Sequence, residues 1–289
     1  MLTWADGGAL LAVFVWGVSF PVLKGLMTVM SPVTLMLIRG IVSCLVMGAI
    51  LRRTGGWRWP SAEDLPVVLS AGLIGFTLNQ ILYSWGLHLT TASHSGLIFT
   101  ITPLFVFAMS QALGHIRLGR VDLFGLALGL GGAVLIIGWP SKGVAGEASV
   151  VGDLLTMGAA VTWGVWTLVA GPILKRRGTL LATLWITLTG TIGLMPFALP
   201  SLMRQDWALP WWAFVGILYA GTLGGALGSL LWYSAVKRLG AARTAIYANM
   251  ESFFAVVAAA LLLGERVAIT SLVGGVAVVA GVLLTRRRG

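Results

Sequence analysis

Apolar runs about as long as a bilayer-crossing helix, ~20 residues, recur along the whole chain with short polar breaks between them. They fall at 7–26, 32–51, 65–87, 93–114, 121–139, 152–172, 179–199, 210–234, 244–264 and 268–285. Several starts carry helix-entry chemistry: Ser31-Pro32, Asp64 before Pro66, Asp122, Asp153 and Pro210. The pattern predicts an all-α polytopic membrane protein with ten transmembrane helices. The first run follows no basic stretch and ends in no small-residue cleavage pattern, so it reads as a retained span.

Composition agrees with this reading and removes several alternatives. Hydrophobic residues make up 58% and charged residues 10% of the 289, against about 25% charged in soluble domains. A net charge of +10 would suggest nucleic acid in a soluble protein, so the positions of the cations decide. With both termini cytoplasmic, inside loops hold fourteen of the nineteen: Arg52, Arg53, Arg58, Arg117, Arg120, Lys175, Arg176, Arg177, Lys237, Arg238, Arg243, Arg286, Arg287 and Arg288. Outside stand only Lys24, Lys142, Arg204 and Arg266, while Arg39 lies within the second run. The excess therefore reports orientation in a bacterial-type inner membrane, with lipid rather than nucleic acid as the partner. Trp57, Trp59, Trp139, Trp207, Trp211 and Trp212 sit at segment ends, as an interfacial belt should. One cysteine, Cys44, and three histidines support neither a disulfide framework nor a soft metal site, and no cofactor is expected.

The two halves repeat. Offset by 147 positions, Asp6 meets Asp153, Ala12 meets Ala159, and Trp16-Gly17-Val18 meets Trp163-Gly164-Val165. Offset by 150, Tyr83-Ser84 meets Tyr233-Ser234, and Gly114, Gly125 and Gly131 meet Gly264, Gly275 and Gly281. The chain thus reads as residues 1–148 and 149–289, each a five-helix unit. Five is odd, so the second unit crosses the membrane in the opposite sense. Such inverted repeats are the architecture of many secondary transporters, with a substrate site near the midplane and alternating access by exchange of the two packings.

Polar groups inside the apolar runs locate that site. Trp16, Trp163, Trp166 and Trp185 stand mid-span, where an indole N–H needs a partner. The third run carries Asn79, Gln80 and Tyr83, the fourth Thr100, Thr102 and Pro103, the eighth Tyr219, and the ninth Tyr247, Asn249 and Glu251. Such groups avoid lipid and face the bundle interior. The candidate substrate-contacting residues are Trp16, Asn79, Tyr83, Phe99, Thr100, Trp163, Trp166, Tyr219, Tyr247, Asn249 and Glu251. Gly17, Pro21, Lys24, Arg39, Pro103 and Gly164 are candidates for gating or for an outer vestibule.

For several of these a purely architectural role stands beside the functional one. Glu251 either binds an ammonium or couples a proton, or is a carboxyl held by neighbouring helices. Lys24 and Arg39 either draw in a carboxylate, or snorkel and pair with carbonyls. Asp6 and Asp153 suit helix N-termini, and His88, His94 and His115 read as loop or interface residues. The fifth and tenth runs, with small-residue faces at Gly125/Gly129 and Gly274/Gly275/Gly281, look lipid-facing and suited to close helix contact within a monomer or across a homodimer.

"VWGVSFPVLK" (15–24), its twin "TWGVWT" (162–167), "TASHSGLIFTITPLF" (91–105) and "ANMESFFAVVAAALLLGER" (248–266) resemble the EamA-type ten-helix members of the drug/metabolite transporter superfamily. The resemblance spans essentially the whole chain and is nearest to the YddG-type aromatic amino-acid exporters. It implies two EamA repeats exporting a small amphipathic metabolite, an amino acid first, or another metabolite or drug class. It also implies a proline after the acid at Glu251, where this chain has Ser252, and an acid before Pro103, where it has Thr102. A passive channel and an intramembrane enzyme are the competing classes. The enzyme is disfavoured because intramembrane catalysis needs a Ser/His, paired-Asp or metal-binding constellation at the midplane, whereas the spans offer one mid-span Glu and their histidines lie near segment ends.

Overall fold

The computed structural model describes residues 4–112, 119–138, 142–143, 146–147, 149–240, 244 and 247–285. His115 and Trp139 lie outside them, as does the side chain of Asn249. Among the described residues ten principal helical segments follow one another. The first half holds α1 (Trp4–Leu26), α2 (Pro32–Arg53), α3 (Leu65–Leu89), α4 (Ala92–Phe99 and Thr102–Ala112) and α5 (Arg120–Gly138). The second holds α6 (Val150–Val169, continued by Gly171–Arg177), α7 (Thr179–Leu202), α8 (Trp211–Leu239), α9 (Ala248–Leu263) and α10 (Ile269–Thr285). A two-residue hairpin pairing Lys142–Gly143 with Gly146–Glu147 lies between the halves. Among the described residues six segments, α1, α2, α3, α4, α7 and α8, are each long and apolar enough to cross a membrane, and α6 makes a seventh if its bent pair is one span. Outward faces stay apolar, with Leu45, Val134, Leu261 and Val276 largely exposed, as lipid rather than water requires.

Departures from straight helix have local causes. In α4, Pro103 lacks an N–H and disfavours helical geometry at Thr102. The chain tightens there into i→i−3 bonds, Thr100 N to Leu97 O at 3.1 Å and Ile101 N to Ile98 O at 3.0 Å. The two pieces of α6 meet at 47° just before Pro172. By contrast α1 runs through Pro21, and α9 runs unbroken through Ser252, whose Oγ donates to Gly96 O across the α9–α4 contact at 2.5 Å. The wide π-helical turns Ala71–Leu78 in α3 and Ala220–Leu227 in α8 have no counterpart in the expectation from periodicity. They occupy matching places, 149 positions apart, and both begin Ala-Gly.

The packing is as repetitive as the sequence. The principal contacts are α1 with α8 and α9, α6 with α3 and α4, α3 with α7, α8 with α2, and the pairs α2–α7, α4–α9 and α5–α10. Exchanging α1–α5 for α6–α10 leaves this set unchanged. The correspondence reaches single residues: a methyl on Gly72 would strike Thr189 Cβ at 2.6 Å, and one on Gly221 would strike Val42 Cβ at 2.5 Å. Both glycines open their π turn, and Val42 and Thr189 are themselves 147 positions apart. The small-residue faces lock α5 to α10 inside the protomer, where a methyl on Gly132 would lie 2.5 Å from Gly274 O and one on Gly274 2.6 Å from Gly132 O.

Each end of the bundle is pinned by polar contacts. At one, Glu265 accepts from Ala92 N at 2.9 Å and Ser93 N at 2.8 Å, satisfying orphan donors of α4. Nearby, Asp153 accepts from the Thr90 hydroxyl at 2.5 Å and pairs with His94 Nδ1 at 3.1 Å, and His94 Nε2 meets Ser271 Oγ at 3.1 Å. Lys24 Nζ donates there to Leu87 O at 3.0 Å and His88 O at 2.7 Å. At the other end the buried Asp64 pairs with Arg177 at 2.7 Å and Arg176 at 3.2 Å.

Candidate functional site

Two aromatic layers cross the bundle interior. One joins Trp16 to Trp163 and Trp232, each with ring centroids 5.4 Å apart, and adds Tyr233 and Trp166. The other is a closed triangle of Phe20, Tyr83 and Phe99, with centroid separations of 5.5, 5.6 and 5.7 Å and edge-to-face geometry. They belong to separate apolar clusters. Between them lies a cavity lined by both halves of the chain. It offers about 80 Å³ to the centres of water molecules, several times the 10–15 Å³ that one water needs.

Its polar groups come from every described helix except α5 and α10. Arg39 of α2 donates through Nε to Ala220 O and through Nη1 to Gln80 Oε1, both at 3.3 Å, beyond the usual range for strong N–H···O bonds. Gln80 in turn donates to Asn79 Oδ1 at 3.0 Å, and Asn79 to Ala159 O at 2.7 Å and Thr162 Oγ1 at 3.1 Å. This chain of amides fixes the guanidinium against α3 and α6. Glu251, in the first turn of α9 and 8% exposed, faces the same space. Among the described residues no hydrogen bond or ion pair reaches its carboxyl. The Thr102 and Thr183 hydroxyls, both deeply buried in the cavity wall, also have no partner among the described residues. Unpaired polar atoms of this kind are costly in a dry interior and so point to water or a ligand.

The π turn of α8 serves the site directly. Trp16 Nε1 donates to Gly224 O within it at 2.7 Å, giving the mid-span indole its partner. Ser43 Oγ donates to Gly221 O at 2.9 Å, and Tyr219, just before the turn, donates to Val15 O at 2.7 Å. In the other half Trp166 Nε1 donates to Tyr233 OH.

Of the residues singled out from sequence, Trp16, Arg39, Asn79, Tyr83, Phe99, Trp163 and Glu251 line the cavity. Arg39, a vestibule candidate from sequence, lines it too. Trp166 and Tyr219 stand one layer behind, positioning Tyr233 and α1. Thr100 closes a local turn onto Leu97 O at 2.5 Å, and Tyr247 donates to Asp6 at 2.6 Å. Lys24 and Trp185 bond backbone carbonyls, the latter Arg58 O at 2.9 Å. Gly17 and Gly164 face neighbouring helices, and Pro21 and Pro103 are buried within theirs. Sequence reasoning passed over Phe20, Ser43, Thr183, Thr187 and Tyr233 as site residues. Two signals for them existed: threonines four apart along the seventh run (183, 187, 191), and the register that pairs Tyr233 with Tyr83. No group of three or more His, Cys, Asp or Glu that could hold a metal occurs among the described residues.

The family model "EamA-like transporter family" matches the chain twice, over 3–138 and 150–287. Among curated proteins, a "probable terminal-alkyne amino-acid exporter" of Streptantibioticus cattleyicolor is 29% identical over 280 residues, covering 96% of this chain and 92% of its own. An uncharacterized transporter of Bacillus subtilis, YvbV, is 25% identical over 283 residues, covering 96% and 89%. A crystal structure with 19% identity superposes on 99% of this chain and 98% of its own with a TM-score of 0.65, which bears on fold alone.

Proposed function

We propose that this chain, which belongs to the EamA-like transporter family and is a multi-pass membrane transporter, exports small amphipathic amino acids, aromatic and other apolar ones first, by alternating access. One observation carries the reading: a cavity bearing a guanidinium, a carboxyl and unpaired hydroxyls lies between two aromatic layers at the junction of the halves. That lining suits a solute polar at one end and apolar at the other. The similarity to an amino-acid exporter points the same way.

The mechanism follows from the duplication. Two units, 1–148 and 149–289, crossing in opposite senses, enclose the cavity between them. If one packing opens it to the cytoplasm, the mirrored packing opens it outside. Both termini then lie in the cytoplasm, and the membrane is the bacterial inner one. The aromatic triangle Phe20–Tyr83–Phe99 and the Trp16–Trp163 pair are the barriers that would part in turn.

Counterflow in proteoliposomes with labelled amino acids tests this. Saturable, trans-stimulated exchange of phenylalanine or tryptophan is expected. Flux rising linearly with concentration would make the protein a channel. If phenylalanine, tryptophan, methionine and threonine all fail, the amino-acid assignment falls.

A further inference from the structure

Arg39 and Glu251 face one cavity yet form no ion pair with each other or with any other described residue. A guanidinium and a carboxyl in a membrane interior ordinarily close on one another, because each is costly without a partner. Here Arg39 is held off by the amide chain through Gln80 and Asn79, and Glu251 by its place on α9. Their counterparts in the opposite halves are uncharged. Glu251 corresponds to Thr102, 149 positions earlier, and Arg39 to Ile186, 147 positions later; both line the cavity. These are the offsets that relate the Gly72–Thr189 and Gly221–Val42 contacts. The duplicated frame thus carries one ionisable group from each half at places that do not superpose, which gives the cavity a direction.

We infer that Arg39 receives the carboxylate and Glu251 the ammonium of a zwitterionic solute lying between them, with the Thr102 and Thr183 hydroxyls completing its hydrogen bonds and the aromatic layers taking its apolar part. This deepens the export reading and rests on it for the identity of the cargo. A monovalent ion would satisfy one charge and leave the other, and a neutral solute would leave both. A guanidinium offers paired donors matched to a carboxylate, and a carboxylate accepts from an ammonium.

The test uses phenylalanine, phenethylamine, which lacks the carboxylate, and 3-phenylpropionate, which lacks the amine. Their binding to the purified full chain is read by thermal stabilisation, and their competition by phenylalanine counterflow. In the wild-type protein each analogue is expected to bind at least about ten-fold more weakly than phenylalanine, the scale of one lost charged hydrogen bond. Arg39→Gln should close the gap for phenethylamine alone, and Glu251→Gln that for 3-phenylpropionate alone. Either analogue matching phenylalanine on the wild-type protein overturns the assignment without any variant having to fold. So does the absence of binding by any amino acid, or variants that weaken all three ligands equally. Phenylalanine that binds with the expected discrimination but is not exchanged would instead sink the export reading and leave the two poles standing.

Discussion

Gly17→Ala and Gly164→Ala make the same change in the same Trp-Gly pair, and the structure expects different results. A methyl on Gly17 would lie 2.5 Å from Phe254 Cβ, 2.8 Å from Glu251 O and 3.0 Å from Ala255 N. Comfortable carbon contacts need ~3.5–4.0 Å, and these atoms belong to or adjoin the α9 backbone, which no rotamer change can move. α1 and α9 must part by roughly 1 Å, at an overpacking cost of about 1–3 kcal/mol. At roughly 2–4 °C per kcal/mol for a chain of this order of size, that cost corresponds to a fall in melting midpoint of about 2–12 °C. A methyl on Gly164 meets Val106 Cγ2 at 3.3 Å and Thr102 O at 3.6 Å, which a few tenths of an ångström relieve. Alanine gains up to ~1 kcal/mol of helix propensity at either position, so the Gly164 variant should stay within about 1 kcal/mol of wild type and the Gly17 variant should still melt below it. Size-exclusion recovery after heating measures both. Gly17→Ala should also slow counterflow, because the displaced turn carries Glu251. Equal midpoints for the two variants, or a Gly17→Ala midpoint matching wild type, would refute the packing argument.

Thr183→Val removes a buried hydroxyl that bonds no described residue, so thermal stability should hold or rise while apparent affinity in counterflow falls several-fold; a loss of stability instead would mean the hydroxyl serves the fold. At Asp64, burial works to raise the carboxyl, but the Ser61 hydroxyl and the Arg177 and Arg176 guanidiniums outweigh it and hold it below its ordinary value. Its contribution to stability is therefore present above the unfolded-state carboxylate value, about pH 4, and is lost as pH falls through the lower folded value. Asp64→Asn should cost stability at neutral pH and flatten the acid limb of a midpoint-versus-pH curve, and an unchanged limb would count against it.

The spans and their order could be read from hydropathy because lipid demands a near-continuous apolar run, and that demand is written locally. Boundaries shifted only at ends, as where the run at 244–264 became Ala248–Leu263. The break in α4 was marked by Pro103 and the bend in α6 by Pro172, residues whose local effect is strong. The π turns were not legible, since Ala-Gly-Leu-Ile-Gly-Phe-Thr-Leu suits an α-helix equally well; in the fold they sit where α7 and α2 come close, at Gly72 and Gly221. The mid-span tryptophans and Glu251 stood out because charge and indole N–H are rare at that depth. Thr183, Thr187 and Ser43 did not: a hydroxyl can satisfy itself on its own helix, so only the fold distinguishes one that faces the cavity. The sequence places Arg39 only within the second run, and a position along a run does not fix the direction in which a long side chain reaches; the fold turns it into the cavity.

The α5–α10 contact sets a boundary on any motion. Backbone meets backbone there at Gly132 and Gly274, with no flexible side chain between them, so the two helices have little room to slide. On the alternating-access proposal this seam behaves as a fulcrum. The halves would rock about it, with displacement growing across the molecule toward α1 and α6, and a covalent tether across the seam should leave exchange intact whereas one between α1 and α6 should stop it.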